Sequence, residues 1–432
     1  MSVSYQSTRG DSSTTVGFVE ALRRGLAPDG GLFVPQKVPA LPAGWAEASS
    51  FPDLAASVIG QWLEGAMEAS VVEAAVRDAL NFPVPVVPLT GAWEGVHVLE
   101  LFHGPTLSFK DFGARTMSRL MAASLPAGEE VTVMVATSGD TGSAVADGFS
   151  GIPGVRVVLL YPNGQVSPTQ ERQLIVKRKG VVSLRVEGTF DDCQRMVKGA
   201  FADPELQGAR LSSANSINIG RLLPQSLYYL WASRTVGSAP RICVPSGNLG
   251  NLTAGMFAHL GGLEVAGFVA AHNANRFFPD YLSGRDASFS PSVPTLSNAM
   301  DVGAPSNFER LEWLLGRDNL SALVQGAAVT DAETLESMKR VYGETGYLAD
   351  PHTAVGLEAV RRLRSGWDPK TPVIVASTAH PAKFPESVEK AIGLQADVPR
   401  RLAAFWDRPV AVRGIPASGE ALRAIILELP AA

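Results

Sequence analysis

Cysteine is almost missing from this chain: Cys193 and Cys243 are far apart and in no metal-ligand spacing. That excludes a disulfide framework and fits a reducing, cytoplasmic compartment. The six histidines form no HExxH or similar pattern, so no metal site is expected, and no GxSxG elbow marks a serine hydrolase. No apolar run approaches a bilayer span, so no membrane partner is expected. The opening stretch MSVSYQSTRGDSSTTVGF lacks the charged start and apolar middle of a secretory leader. Charged residues are only 18% of the chain and the formal net charge is −5, which argues against nucleic acid as a partner. There is no low-complexity tract, heptad pattern or repeat of roughly 20–50 residues.

What is present is apolar material. Hydrophobic residues make up 46% of the 432 positions, enough for a large core in two to three domains or one elaborated α/β body. Residues from about 15 to 85 read mainly as helices. VGFVEALRRG is a short amphipathic helix stopped at Gly25, and FPDLAASVIGQWLEGAM and SVVEAAVRDALNF continue the helical rhythm. PVPVVPL is too rich in proline for a helix. Beyond it, VTVMVAT, VRVVLLYP and VVSLRVEG read as buried strands, alternating with helices in GSAVADGF, PTQERQLIVKRK and TFDDCQRMVKGAF. A second alternating set runs from RICVPSGNLGNLTAGMFAHL to TPVIVASTAHPAKF. Such βαβ alternation predicts parallel sheets covered by helices, with a ligand in the cleft at the carboxyl ends of the strands. The expected division is an N-terminal helical region (1–90), an α/β domain (91–225), and a second α/β domain with a C-terminal extension (226–432).

The segment HGPTLSFKDFGAR sets Lys110 between Phe109 and Phe112. Apolar walls lower the pKa of an amine and make it a nucleophile, whereas a surface lysine simply snorkels; the segment alone fits both. Two glycine loops follow strands and precede helices. One holds Ser246, Gly247, Asn248, Leu249, Gly250 and Asn251; the other, TSGDTG, holds Ser138, Asp140, Thr141 and Gly142. Each offers backbone N–H groups at a helix start to an anion, and neither is a dinucleotide fingerprint or a P-loop. Two such loops beside one lysine suit a site for a cofactor phosphate and an anionic substrate. Ser377, Thr378 and His380 should emerge at a strand end. Asp350, beside His352, reads better as a helix cap than as a ligand. SINIGR and SNFERL contribute Asn218, Arg221, Asn307 and Arg310 as weaker anion-clamp candidates.

Together these segments resemble the threonine synthase family. LFHGPTLSFKDFGAR, ATSGDTGSA, SINIGR, VPSGNLGN, SNFERL, DPHTAVG and STAHPAKF occur in the family's order, and YQSTRG with GLAPDGGLFVP resembles the opening of its longer bacterial and fungal branch. The resemblance runs from about residue 5 to about 390 and leaves the last 40 or so residues unanchored. It implies a fold-type-II pyridoxal-phosphate enzyme, tryptophan synthase β-like. Lys110 would bond the pyridoxal 5'-phosphate, Gly247, Asn248, Leu249, Gly250 and Asn251 would hold its phosphate, and Thr378 would face its ring nitrogen. The implied reaction takes O-phospho-L-homoserine and water to L-threonine and phosphate, in a monomer or homodimer. Ser138, Asp140, Thr141, Gly142, Asn218, Arg221, Asn307 and Arg310 would bind substrate. Two departures stand out: related β-replacement enzymes carry asparagine at the place of Asp140, and Leu249 replaces the commoner phenylalanine. The nearest rival is a fold-type-II serine/threonine dehydratase.

Overall fold

A computed structural model describes residues 2–10 and 14–429; part of the stretch read above for a leader lies outside them. The N-terminal region is not purely helical. Strands β1 (Ser4–Ser7), β2 (Val16–Gly17) and β3 (Phe33–Pro35) form a small antiparallel sheet, ordered β2-β1-β3. The expected helices follow at Phe18–Arg24, Phe51–Trp62 and Ala69–Ala79. The first ends where Gly25 takes a positive φ of 73°, a stop that other residues adopt only at a cost.

The later strands are β4 (Val86–Pro88), β5 (Val96–Glu100), β6 (Val131–Ala136), β7 (Val155–Pro162), β8 (Val181–Glu187) and β9 (Leu211–Ser213). After them come β10 (Arg241–Pro245), β11 (Gly267–His272), β12 (Val324–Ala328), β13 (Val373–Ser377) and β14 (Arg413–Pro416). They build two sheets, β12-β11-β10-β13-β5-β4 and β14-β8-β7-β6-β9. Every pairing in them is parallel except β4 with β5. Strands such as VTVMVA and GFVAAH are buried at every position, as parallel strands covered on both faces must be.

The sheets do not respect the sequential division expected above. Strands β4 and β5 lie in the sheet of β10–β13, while β14 returns to the edge of the other sheet. The return is driven by burial: Ile415 pairs with Val186, and Leu422, Ile425 and Ile426 of the helix Gly419–Glu428 join the core of helix Phe190–Ala202. The unanchored C-terminal residues thus complete the first α/β unit by covering an edge strand.

The interleaving positions the site. Because β5 runs beside β13, from Val96↔Val373 to Glu100↔Ser377, the chain leaving β5 meets the chain leaving β13. Backbone bonds prolong the contact: Leu101 N–H to Ser377 O and Phe109 N–H to Thr378 O, both 2.9 Å, and His380 N–H to Leu107 O, 3.1 Å. Strand β10 is the other neighbour of β13.

Candidate active site

One cavity is lined by residues from both α/β units, among them Phe109, Lys110, Ser138, Thr141, Ser216, Arg221, Gly247–Asn251, Met300, His352 and Thr378. Lys110 opens the helix Lys110–Ser124. Burial, together with Arg221 and Lys383 and against the pull of Asp140, lowers its ammonium to about 8. The two phenylalanines divide their work. The Lys110 Nζ lies 5.8 Å from the centre of the Phe109 ring. Phe112 instead points into the core, edge-on to Phe51, Phe82 and Tyr228, and fixes the helix.

The turn before Lys110 is shaped by Asp111. Its carboxylate accepts from the Thr106 N–H (2.8 Å) and Oγ1 (2.7 Å), and burial raises it to about 7. A Cβ at Gly104 would stand 2.4 Å from the Asp111 carboxylate, so the glycine is required there.

The loop between β10 and the helix Gly250–Leu260 supplies the first anion cradle. The N–H groups of Gly247, Asn248 and Leu249 meet no backbone acceptor among the described residues, and they stand at a helix N-terminus, where an anion is favoured. Gly247 has Met300 at its back: an added Cβ would come within 2.8 Å of the Met300 Cα. Leu249 holds a left-handed φ of 60°. Its side chain is buried, so what faces the cavity there is chiefly backbone. Asn248 donates to Ser216 Oγ (2.7 Å) and accepts from Ser306 N–H. Asn251 accepts from the hydroxyls of Tyr228 and Tyr229, while its buried Nδ2 has no partner.

The second cradle is the loop after β6. Thr137 Oγ1 accepts from Gly139 N–H (3.0 Å) and Gly142 N–H (2.8 Å), which curls the loop and leaves Ser138 and Thr141 on the cavity. Gly142 faces away; a Cβ there would strike Thr137 and Leu174. Asp140 also turns from the cavity. Its carboxylate takes Lys383 Nζ at 2.6 Å and Gln170 Nε2 at 3.1 Å. Burial would raise Asp140, but Lys383 and Lys110 outweigh it and hold it at about 2. An ionised acceptor repels substrate oxygens, so the expected substrate contact through Asp140 is corrected to an internal ion pair.

Three further anion-clamp candidates are structural. Asn218 caps the helix Ile219–Val236 through Gly220 N–H and donates to Leu22 O and Ser213 O. Arg310 is fully buried and donates to the carbonyls of Phe33, Ser216 and Ile217 and to Asn307 Oδ1. Asn307 in turn donates to Asn248 O and Ser216 Oγ, supporting the first cradle from behind. Arg221 does reach the cavity: one guanidinium nitrogen donates to Ala214 O, its buried Nε has no partner, and burial lowers it to about 10.

Among the other candidates, Asp350 caps its helix through His352 N–H and Thr353 N–H, Ser377 bonds Thr353, and His380 accepts from Ala382 N–H. Sequence reasoning missed Ser216, His352 as a cavity residue, and Lys383. Ser216 and Lys383 sit inside segments already singled out, SINIGR and STAHPAKF; a lysine flanked by Ala382 and Phe384 was the available signal.

The chain is similar to known proteins over nearly its whole length. A family model described as "Pyridoxal-phosphate dependent enzyme" matches residues 81–378, with "Threonine synthase N terminus" over 4–80 and "Threonine synthase, C-terminal" over 353–426. The chain is 40% identical to the threonine synthase of Escherichia coli (strain K12) over 427 residues, 96% of this chain and 98% of that protein. The chain belongs to the threonine synthase family. It is also 40% identical to the Serratia marcescens threonine synthase over 431 residues, 98% of each chain. A crystal structure of PLP-bound threonine synthase from Brucella melitensis superposes with a TM-score of 0.90 at 35% identity, covering 98% of this chain and 99% of that one. The chain is accordingly a pyridoxal-phosphate-dependent enzyme of fold type II that acts on a small molecule, and no helix among the described residues is long and apolar enough to cross a membrane.

The residues present fit that cofactor. A buried amine of lowered basicity, a glycine loop with free N–H groups and the hydroxyl of Thr378 line the same cavity. The unpartnered Asn251 Nδ2 shows polar capacity beside the loop that the protein itself does not satisfy.

Proposed function

We propose that the enzyme converts O-phospho-L-homoserine and water to L-threonine and phosphate, by γ-elimination followed by β-addition of water. The observation that carries the reading is one lysine amine facing two separate anion cradles in one cavity. In this reading the Gly247–Asn251 loop would hold the cofactor phosphate and Thr378 would offer a neutral hydroxyl to the ring nitrogen. When bound, pyridoxal phosphate supplies the electron sink for a carbanion beside the substrate nitrogen. The Lys110 amine would accept the Cα proton and return protons later in the sequence. Ser138, Thr141 and Arg221 are the donors for substrate anions, and the neutral Ser216 hydroxyl stands beside them. Phe109 and Met300 supply apolar wall that keeps water from the Lys110 amine until addition is due.

A serine or threonine dehydratase, the nearest rival, needs no second phosphate site, so competition by inorganic phosphate separates the two. We further propose a cytoplasmic monomer or homodimer. The deciding test incubates purified enzyme with O-phospho-L-homoserine and measures phosphate and threonine together, beside Lys110→Ala. Equal amounts from the wild type and none from the variant support the reading. Phosphate without threonine would replace it with an elimination ending in a keto acid.

A further inference from the structure

The ion pair between Lys383 and Asp140 is unlike the surface bridges elsewhere on the molecule. Its side chains are 0% and 3% exposed, its Nζ···Oδ1 separation is 2.6 Å, and it joins the two α/β units, Lys383 following β13 and Asp140 following β6. The ammonium makes a second bond, 3.0 Å to Thr106 O, in the turn that leads into Lys110. Gln170 Nε2 shares the same carboxylate oxygen, and its own Oε1 accepts from Asn298 Nδ2 at 3.0 Å. None of these groups binds substrate in the reading above, and a buried ion pair rarely stabilises more than an apolar pair would.

We propose that Lys383 is a positioning residue for the reaction: by clamping Asp140 and the Lys110 turn, it occupies the carboxylate that would otherwise serve as counter-ion to the Lys110 amine. The charged groups acting on Lys110 are Asp140, Arg221 and Lys383, and those acting on Asp140 are Lys383, Lys110 and His352. Of the three acting on Lys110, Asp140 alone favours the ammonium; the two cations oppose it. Removing Lys383 therefore leaves a buried carboxylate without its partner, still coupled electrostatically to Lys110, and the cheapest way to neutralise it is to keep Lys110 protonated. The free amine available to attack or to take a proton near neutral pH would then fall about tenfold.

The inference rests on Lys110 being the reactive lysine, but its test does not depend on turnover. The pH dependence of acetic-anhydride labelling at Lys110, read by mass spectrometry on the full chain freed of cofactor, reports the amine directly. The chain is compared with Lys383→Met, Asp140→Asn and the double variant. Lys383→Met should move the labelling midpoint up by about one pH unit, about tenfold less free amine at a fixed pH below it. Asp140→Asn should move the midpoint down, and the double variant should return it to within a few tenths of the wild type. In holoenzyme the acid limb of kcat should move in the same directions, while a merely structural role would lower kcat at all pH values alike. An unchanged midpoint in Lys383→Met, meaning that Asp140 takes the proton itself, would overturn the proposal. If Lys383→Met does not fold, Asp140→Asn alone decides: a midpoint that stays or rises refutes it.

Discussion

Arg310 offers the sharpest contrast between an anion clamp and a structural rivet. Its guanidinium spans three segments: Phe33 O in β3, Ser216 O and Ile217 O in the loop before the helix Ile219–Val236, and Asn307 Oδ1 at its own helix start. It is wholly buried, and burial lowers it to about 9. The adjoining Glu309 fastens the bend after β1 from the same helix turn, through a two-pronged pair with Arg9. Arg310→Met keeps an unbranched apolar stem, removes the guanidinium and leaves four acceptors without a donor. At about 1–3 kcal/mol per stranded group, less the relieved cost of burying an unpaired cation, the loss should be about 4 kcal/mol. The urea midpoint of the variant should fall accordingly, and cofactor should leave more readily, because Ser216 and Asn307 both support the Asn248 loop. Variant that retains cofactor should show a near-normal KM for substrate. A variant with unchanged urea midpoint and a KM raised tenfold or more would refute the reasoning and return Arg310 to the substrate.

Further outcomes follow from neighbouring contacts. Gly247→Ala places a Cβ within 2.8 Å of Met300 backbone, so the first cradle must shift; cofactor titration followed by fluorescence should show affinity weakened at least about tenfold. Asn251→Ala strands the Tyr228 and Tyr229 hydroxyls, and denaturant unfolding should show a loss of about 2–4 kcal/mol. Asp111 is raised to about 7 by burial. A carboxyl with a raised folded pKa contributes stability fully below its unfolded value and loses it as pH climbs through the folded one. Stability measured between about pH 4 and 7 should therefore decline in the wild type, and Asp111→Asn should flatten that decline.

Part of the candidate site's lining was legible in the residues themselves. Each of Lys110, Gly247, Asn248, Leu249, Gly250, Asn251 and Thr378 lines the one cavity. These positions are readable because their chemistry is local: a glycine loop between a buried strand and a helix builds its anion cradle from its own backbone, whatever the rest of the chain does. The helix stop at Gly25 and the fully buried runs VTVMVA and GFVAAH are local in the same sense.

Direction is not local. In SINIGR the sequence cannot say that Ser216 and Arg221 face the cavity while Asn218 turns back to cap its own helix, because that depends on how the helix packs among its neighbouring helices. In SNFERL, Arg310 is only a weaker clamp candidate by sequence, and its donors go to carbonyls of segments far away in the chain. Lys383 and Asp140 carry no mutual signal across their separation in sequence, yet the two sheets press them into a dry contact. The placing of β5 beside β13, and of β14 on the far sheet, belongs to the same class. The sequence by itself determined which short segments can hold an anion, a buried amine or a strand. The tertiary structure decided which of them meet, because parallel pairing and burial join segments whose only common property is the surface they hide from water.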